Sequence, residues 1–441
     1  MLNSLCRVCV KKKSDFCRNS IKSHETKMFQ TKMFQTKVLQ TFLFHCIMQA
    51  RKNIRIVQCK ESEVFMEKTP FIFGKSADNI NFTNREEEIS YLEANFKSQI
   101  NTTIISPRRW GKTSLVAKVA SNIQEQNKNI KVCMLDIFNV RNELDFYEYY
   151  AKEVLKATSS RWEEMADNAK MFLSHLLPKI TISPDTQAEI SFGIEWEAIK
   201  KNPDEILNLP EAIAKAKKIN VIICVDEFQS ISNFADSVDF QRKLRSHWQH
   251  HHNVGYCLYG SKRSMLLDIF SNASMPFYRF GDIMFLQKIK NDKWAEFIEK
   301  RFKDTGKKIT LKQAGYLANL VDNHSYYVQQ LAQQTWLRTK ATCSEDIINE
   351  SLYSIKNQLS LLFVGKVESM TSTQISFLKA VLNGETAFSS QENLKKYRMG
   401  TSSNVKRIKD ALLSQEVIDV VDNKVEILDP IFKSWFKDEF L

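Results

Sequence analysis

The sequence predicts an α/β protein: a parallel αβα sheet, then an all-α helical lid, and finally a C-terminal winged helix-turn-helix domain. Three observations predict this order. A short apolar run leads through Gly111-Lys112-Thr113 into helical spacing, a later apolar run ends in Asp226 and Glu227, and helical spacing dominates from Leu286 onward. Apolar runs that alternate with helices indicate a parallel sheet, because parallel strands need crossover connections.

The segment from Thr102 to Leu115 predicts a phosphate-binding loop. A helix N-terminus binds anions through its unpaired backbone N–H groups and its dipole. We expect Lys112 to reach the β- and γ-phosphates, the Thr113 hydroxyl to bind Mg²⁺, and Gly111 to allow close approach of the backbone. The other loop residues expected to contact a nucleotide are Ser106, Pro107, Arg108, Arg109, Trp110 and Ser114.

The loop departs from the usual G-x-x-x-x-G-K-[ST] pattern, because Ser106 replaces the first glycine. We expect serine to be tolerated only if this position turns without a positive φ. A second Gly-Lys-Ser at Gly74 follows another apolar run, but Ala77-Asp78-Asn79 comes after it, which is typical of a loop and not of a helix. We therefore assign the phosphate site to Lys112, and a loop that binds no nucleotide remains an alternative.

A second motif is the run from Asn220 to Phe228, in which five apolar residues precede Asp226 and Glu227. Such a run predicts a strand buried on both faces, and ligands bind at the carboxyl ends of strands in open α/β sheets. This is a Walker B pattern. We expect Asp226 to hold Mg²⁺, directly or through water, and Glu227 to orient and polarise the attacking water.

A resemblance to a known family rests on Phe82-x-Asn84-Arg85-Glu86-x-Glu88-Ile89, followed closely by the strand, the phosphate loop and its helix. This order resembles the opening of the STAND and archaeal-type ATPases, a branch of the AAA+ class of P-loop proteins. Members usually have Gly-Arg-Glu where this chain has Asn84-Arg85-Glu86. We expect Asn84 to cap the helix that follows.

The resemblance implies a parallel αβα sheet of the P-loop NTPase type, with ATP and Mg²⁺ as cofactors. It also implies that Arg85 contacts the nucleotide, that Ser261 is the sensor that reads the γ-phosphate, and that Tyr326 lies near the adenine. Three further basic residues are candidates for trans-acting or sensing cations: Lys262, Arg263 and Arg279.

The overall charge of +12 is distributed unevenly along the chain. Residues 1–65 contain 13 Lys/Arg and 4 Asp/Glu, so they carry nine of the twelve net charges. The basicity of the whole chain therefore says little about nucleic-acid binding.

The N-terminal tail, residues 1–65, also has a near-tandem Thr-Lys-Met-Phe-Gln repeat and five of the nine cysteines. We expect it to be a disordered extension translated from an upstream start, with Met66 as the true start. Neither a membrane span nor a signal peptide is visible. The four cysteines outside the tail, Cys133, Cys224, Cys257 and Cys343, are isolated in the sequence and are expected to be reduced core residues, which fits a cytoplasmic protein.

We expect an ATPase core over 66–285, a lid over 286–360 and the winged helix over 361–441. An insertion over about 158–205 is predicted to contain a helix from Trp162 to Leu177 and a hairpin through Pro184-Asp185. The predicted lid helices cover 291–304, 311–321, 325–339 and 345 onward. The predicted winged helix comprises helices over 373–382, 390–397 and 402–415, and strands over 417–421 and 424–428.

The winged helix carries 11 basic and 11 acidic residues over 361–441, which argues against strong DNA binding. Six of the basic residues, however, lie between 391 and 409. Ser403, Asn404, Lys406 and Arg407 on the third helix are candidates for contacts in a major groove. DNA binding and protein docking both remain open.

The function predicted from these features is that of a cytoplasmic Mg²⁺-dependent ATPase, with Glu227, Lys112 and Ser261 as catalytic residues. ATP would act as a switch and the winged helix as the output. The alternative is a DNA-binding regulator in which ATP shifts a conformational equilibrium with little hydrolysis. Nothing in the sequence identifies a cargo or an oligomeric state.

Overall fold

The N-terminal half of the protein is organised by a five-stranded sheet. The computed structural model describes residues 69–75, 77, 81–173, 203–421 and 424–441. The strand order is β2-β3-β4-β1-β5, and every neighbouring pair is parallel. The strands are β1 (Thr102–Ile105), β2 (Ile130–Asp136), β3 (Asn220–Asp226), β4 (Val254–Gly260) and β5 (Asp282–Phe285).

Helices cover both faces of this sheet, as a parallel sheet requires. One apolar cluster surrounds Phe146, Phe228 and Trp248, and another surrounds Val116 and Val119 on the helix after the phosphate loop. A 3₁₀ helix, Phe228–Asn233, follows β3. The α-helices are α1 (Glu86–Lys97), α2 (Lys112–Gln126), α3 (Glu143–Thr158), α4 (Trp162–Phe172), α5 (Pro203–Lys217), α6 (Ser237–Trp248) and α7 (Arg263–Ser271).

The register of the sheet brings three functional segments to one edge. Ile105 pairs with Gly260, and Val225 pairs with Leu258. The strands β1, β3 and β4 are adjacent and parallel, so the residues that follow them all leave the sheet at its carboxyl edge. This is the edge at which ligands bind in such sheets.

The remainder of the chain is helical apart from one hairpin. The lid comprises α8 (Asn291–Asp304), α9 (Leu311–Leu320), α10 (Ser325–Arg338) and the long α11 (Glu345–Glu368). The winged helix comprises α12 (Ser372–Leu382), α13 (Gln391–Lys396), α14 (Ser402–Ser414), β6 (Ile418–Val421), β7 (Lys424–Ile427) and α15 (Pro430–Phe440). Lid and winged helix share one continuous apolar cluster.

The predicted fold class is confirmed, and the predicted lid and winged-helix elements agree with the structure to within one or two residues. The prediction that Asn84 caps a helix is wrong. Helix α1 begins at Glu86, and its N-cap is Arg85, which makes no capping hydrogen bond through its side chain. Asn84 and Arg85 have φ values of 50° and 114°. These left-handed residues reverse the chain, and Arg85 is thereby directed at the phosphate loop.

Some predictions fall outside the residues that the structure describes. These are the tail over 1–65, the end of the predicted helix beyond Leu173, and the hairpin through Pro184-Asp185. The domain boundaries remain predictions. Within the described ranges, none of the helices combines the length and the apolar character that are needed to cross a bilayer.

The shared cluster of lid and winged helix can be tested at Phe432, which is fully buried and packs against Phe363 of α11 at 5.4 Å between ring centroids. We expect Phe432→Ala to lower the free energy of unfolding of this cluster by about 3–5 kcal/mol. Hydrogen exchange should show α10, α11 and the winged helix losing protection together. Leu361→Ala, at a site that is 84% exposed, is the control and should change stability by less than about 0.5 kcal/mol. Loss of protection in the winged helix alone would contradict a shared cluster.

Candidate functional site

The phosphate loop joins β1 to α2 in a tight turn. Arg109 and Gly111 have φ values of 63° and 95°, whereas Ser106 does not have a positive φ. The backbone at this position therefore meets the condition under which we expect serine to be tolerated. Gly111 is the N-cap of α2 and has no side chain that could satisfy the helix N–H groups. The first turn of α2 thus points unpaired donors at the carboxyl edge of the sheet.

Lys112 lies beneath this loop and is almost fully buried. Its Nζ donates hydrogen bonds to the carbonyl oxygens of Ser106 at 3.0 Å and Pro107 at 2.9 Å. Burial lowers the Lys112 pKa to about 8, although nearby Asp226 and Glu227 oppose this shift. A buried ammonium group whose charge is this poorly compensated favours an anionic ligand.

The loop meets β3 through a hydrogen bond from Thr113 Oγ1 to Asp226 Oδ2, at 2.6 Å. Burial raises the pKa of Asp226, although the hydrogen bond from Thr113 opposes the shift. A hydroxyl and a carboxylate that meet at the edge of a phosphate loop are oxygen donors of the kind that Mg²⁺ prefers. Groups of three or more His, Cys, Asp or Glu that could hold a metal are absent from the described residues. The oxygen atoms of Thr113 and Asp226 suit an ion that takes its remaining ligands from phosphate and water.

Glu227 follows Asp226 in a left-handed conformation, with φ of 53°. Its Oε2 accepts hydrogen bonds from Ser261 Oγ at 2.9 Å and from Gln229 Nε2. The family resemblance selected Ser261, but sequence reasoning missed Gln229, because no spacing rule marks it. Gly260 could have indicated a close approach: a Cβ built there would lie 1.9 Å from Gln229 Oε1.

A cavity of about 560 Å³ lies over the loop and between the sheet and the lid. This size is within the usual range for small-molecule sites. Tyr326 lines it from α10, and the Arg109 guanidinium lies 4.5 Å from the Tyr326 ring centroid. Phe73 contacts Tyr326 edge to face at 5.6 Å between centroids. The cavity is also lined by Ile72, Gly74, Lys75, Phe82, Phe138 and Gln329, which sequence reasoning did not select.

Most of the predicted site residues line this cavity. They are Arg85, Arg108, Arg109, Trp110, Gly111, Lys112, Thr113, Ser114, Asp226, Glu227, Ser261 and Tyr326. Ser106 and Pro107 are not part of its lining and instead hold Lys112 through their carbonyls. Ser114 Oγ accepts a hydrogen bond from the Ala77 backbone N–H at 2.9 Å, and this contact links Ala77 to α2.

The predicted cations occupy different places. Arg85 is buried, forms an ion pair with Glu88 at 2.7 Å and donates to the Trp110 carbonyl at 3.4 Å. Lys262 and Arg263 line a second, smaller cavity beside the winged helix. Arg279 lines neither cavity, and its guanidinium lies 5.2 Å from the Tyr278 ring centroid.

The candidate DNA-contacting residues lie at the start of α14. Ser403, Lys406 and Arg407 are exposed. Asn404 is half-buried, and its amide is engaged locally: Nδ2 donates to the Met399 carbonyl at 2.7 Å, and Oδ1 accepts from Arg407 Nη2 at 2.8 Å. Asn404 is thus already used in the turn before α14.

Comparisons with known proteins agree with this geometry. Residues 82–331 match a family described as an ATPase domain predominantly from Archaea, and residues 362–438 match a probable winged helix domain. A Walker-type ATPase of Pyrococcus abyssi is similar in structure, with 16% identity, a TM-score of 0.57, and coverage of 83% of this chain and 99% of that one. The ORC2 protein of Aeropyrum pernix in its ADPNP–ADP complexes has 14% identity, a TM-score of 0.50, and coverage of 83% and 98%. A search of curated proteins finds no match.

The contact between Gly260 and Gln229 gives a test of the site's packing. We expect Gly260→Ala to lower the free energy of unfolding by about 1–3 kcal/mol, because the added methyl group displaces the buried Gln229 amide. Gly365→Ala is the control: it lies at an exposed position of helix α11, a Cβ there would have nothing within 4 Å, and the substitution should stabilise the protein by about 0.5–1 kcal/mol. Denaturant unfolding of both variants checks this. Equal changes in the free energy of unfolding of the two variants would show that a methyl group at position 260 can be placed against Gln229 without energetic cost.

Proposed function

The chain belongs to the family of ATPase domains that is predominantly archaeal, and on this premise we propose that it binds ATP with Mg²⁺ and hydrolyses it as a nucleotide-driven switch. The observation that carries the proposal is the convergence of Lys112, Thr113, Asp226 and Glu227 on one cavity at the carboxyl edge of the sheet. These residues supply a buried cation, two metal-binding oxygens and a carboxylate that can act on water. The winged helix at the C-terminus is the proposed output.

In the proposed complex, the N-terminal donors of α2 and the Lys112 ammonium bind the phosphates. Thr113 and Asp226 would hold Mg²⁺, which neutralises charge on the β- and γ-phosphates. Arg85 is held by Glu88 at the cavity wall, and this supports a role in contacting the nucleotide. The Phe73 and Tyr326 rings support an adenine site at the other end of the cavity, because aromatic faces stack on bases.

Hydrolysis would proceed by in-line attack of water on the γ-phosphate, with catalysis mostly by positioning and charge stabilisation. Glu227 is the proposed group that orients the water, and Ser261 beside it reads the γ-phosphate. The carboxylate of Glu227 already accepts from Ser261 and Gln229. We expect slow turnover if ATP acts as a switch, because the ATP-bound state must then persist.

Two substitutions separate binding from hydrolysis. We expect Lys112→Ala to abolish the ATP-dependent increase in melting temperature, because the phosphates lose their buried cation. Glu227→Gln should keep ATP bound but lower kcat by about a hundredfold or more, because the amide cannot polarise water. Thermal shift and phosphate release measure the two effects on wild type and both variants.

Other outcomes would select the alternatives. Tight ATP binding without measurable turnover in the wild type would favour a regulator that uses ATP binding alone. A melting temperature that ATP does not change, with Lys112→Ala behaving like the wild type, would establish that the loop binds no nucleotide.

DNA binding through the winged helix is a second proposal, supported by the exposed Lys406 and Arg407 near the start of α14. Lys395 and Lys396 on α13 add further positive charge to this part of the domain. The balanced charge of the domain as a whole instead supports docking of a protein, and the two proposals remain alternatives.

A salt titration distinguishes them. If the domain binds DNA, we expect Lys406→Ala/Arg407→Ala to weaken binding and to reduce the slope of log affinity against log salt by about 1–2, since each phosphate contact releases a counterion. Lys340→Ala/Lys437→Ala removes the same charge from exposed positions elsewhere and is the control. Absent or salt-independent binding would exclude the DNA proposal.

We also propose a cytoplasmic location. Cys133, Cys224, Cys257 and Cys343 are free and buried, which supports a reducing environment.

A further inference from the structure

A second cavity, of about 300 Å³, lies where the phosphate loop, the lid and the winged helix meet. This volume is at the lower end of the range for small-molecule sites. Five cations line the cavity against three carboxylates, which leaves an excess of two positive charges. The cations are Arg108, Arg109, Lys262, Arg263 and Lys366, and the carboxylates are Glu416, Asp419 and Asp429.

The three carboxylates already have partners of their own. Glu416 Oε2 lies 3.1 Å from Arg108 Nε, and Asp419 Oδ2 lies 2.9 Å from Arg263 Nη1. Asp429 accepts hydrogen bonds at both of its oxygens, one from a lid hydroxyl and two from backbone N–H groups at the start of α15. These carboxylates therefore do not neutralise the remaining cations through direct contacts.

Two lysines at this cavity have no partner of opposite charge. Neither Lys262 nor Lys366 forms an ion pair or a hydrogen bond through its ammonium group with any described residue. Lys366 is half-buried, and its Nζ lies 4.8 Å from the Phe432 ring centroid. Burial lowers the pKa of Lys366, although Asp429 and Glu416 oppose the shift. A half-buried ammonium group with this little compensation favours an anionic ligand.

Neutral donors complete the lining. His324 is 6% exposed, and its Nδ1 has no hydrogen-bond partner among the described residues. Burial lowers the His324 pKa to about 4, so the imidazole is neutral at pH 7 and can donate one N–H. Helix α7 also begins at this cavity, and its N-cap, Lys262, makes no capping hydrogen bond through its side chain. Cations, an N–H group and an uncapped helix start together suit a small oxyanion.

We propose that the second cavity is a separate site for inorganic phosphate and that it receives the phosphate released by ATP hydrolysis. The inference rests on the proposed function for the origin of this phosphate, but not for its binding. Arg108, Arg109 and Ser261 line both cavities, so the second one adjoins the nucleotide cavity at the residue expected to read the γ-phosphate. Asp226 and Glu227 line only the nucleotide cavity. A phosphate ion that passes Ser261 therefore moves away from two carboxylates that repel it.

The carboxylates in the lining favour phosphate over sulfate. A carboxylate can only accept hydrogen bonds. Hydrogen phosphate keeps a proton that it can donate to a carboxylate oxygen, whereas sulfate is fully ionised at neutral pH and has none. We expect phosphate to bind about tenfold more tightly than sulfate, which corresponds to one net hydrogen bond.

The first measurement is equilibrium dialysis of labelled inorganic phosphate against the full chain, at constant ionic strength. A non-hydrolysable ATP analogue saturates the nucleotide site, so the bound phosphate cannot occupy the γ-phosphate position. We expect one phosphate per chain. Lys366→Met, which keeps the length of the side chain, should weaken binding about tenfold, because it removes a charge-assisted contact. Lys262→Met should weaken binding too, and Lys340→Met, at an exposed position elsewhere, is the control and should leave it unchanged.

The second measurement identifies the source of the phosphate. In a single turnover of ATP, acid quench follows cleavage, and a fluorescent phosphate-binding protein follows free phosphate. If the cavity receives the product, release should lag behind cleavage in the wild type. Lys366→Met should shorten this lag, because the variant holds the ion less tightly.

The outcomes separate this inference from the proposed function. In a wild type that hydrolyses ATP, phosphate that does not bind beside the analogue, or binding that both lysine variants leave unchanged, overturns the second site alone. Equal affinity for sulfate overturns phosphate as its specific ligand. Absence of turnover, with phosphate binding that depends on Lys366, overturns hydrolysis but supports the site, with solution as the source of the ion. Weakened binding in Lys366→Met with an unchanged lag overturns the product route and also assigns the phosphate to solution.

Discussion

The parallel pairing of β4 with both β1 and β3 is the constraint on which the site depends. It places the ends of three strands side by side, so that a loop, a carboxylate pair and a serine from distant parts of the chain meet at one edge. Each segment alone supplies only part of the candidate site. Together they enclose Lys112 and Asp226, and burial lowers the pKa of the first and raises that of the second. The fold thus supports charged groups that are incompletely compensated, as an anionic ligand with a hard cation requires.

Of the eleven non-glycine residues with positive φ in the described part of the chain, four lie at this edge. Asn84, Arg85, Arg109 and Glu227 all have positive φ, and each either lines the candidate nucleotide cavity or lies directly beside it. Side chains cost free energy in this conformation, and such strain is typical of functional sites. At Glu227 the turn brings the carboxylate within reach of Ser261 and Gln229. The close approach of Gln229 is available only because Gly260 lacks a side chain.

The protein combines two kinds of contact between its parts. Lid and winged helix are joined by a shared apolar cluster and by a hydrogen bond from the Tyr327 hydroxyl to Asp429 at 2.6 Å. The winged helix contacts the sheet domain through ion pairs of Arg108 with Glu416 at 3.1 Å and of Arg263 with Asp419 at 2.9 Å. Polar contacts can exchange partners with ligands or water at low cost, whereas an apolar core cannot be opened without exposing its surface. This difference gives the switch proposal its physical basis.

The sequence by itself determined the fold class, the phosphate loop and the elements of the lid and winged helix, because these follow from local patterns: apolar periodicity, turn residues and short motifs. It also selected Asp226 and Glu227, since ligands bind at the carboxyl ends of parallel strands, and the family resemblance added Ser261. The tertiary structure decided what depends on distant residues. Gln229, Phe73 and the pairing of Arg108 with Glu416 have no local signature, and neither does the left-handed backbone at Asn84 and Arg85. Sequence patterns indicate which face of an element is buried, but only the tertiary structure determines which side chains of different elements contact each other.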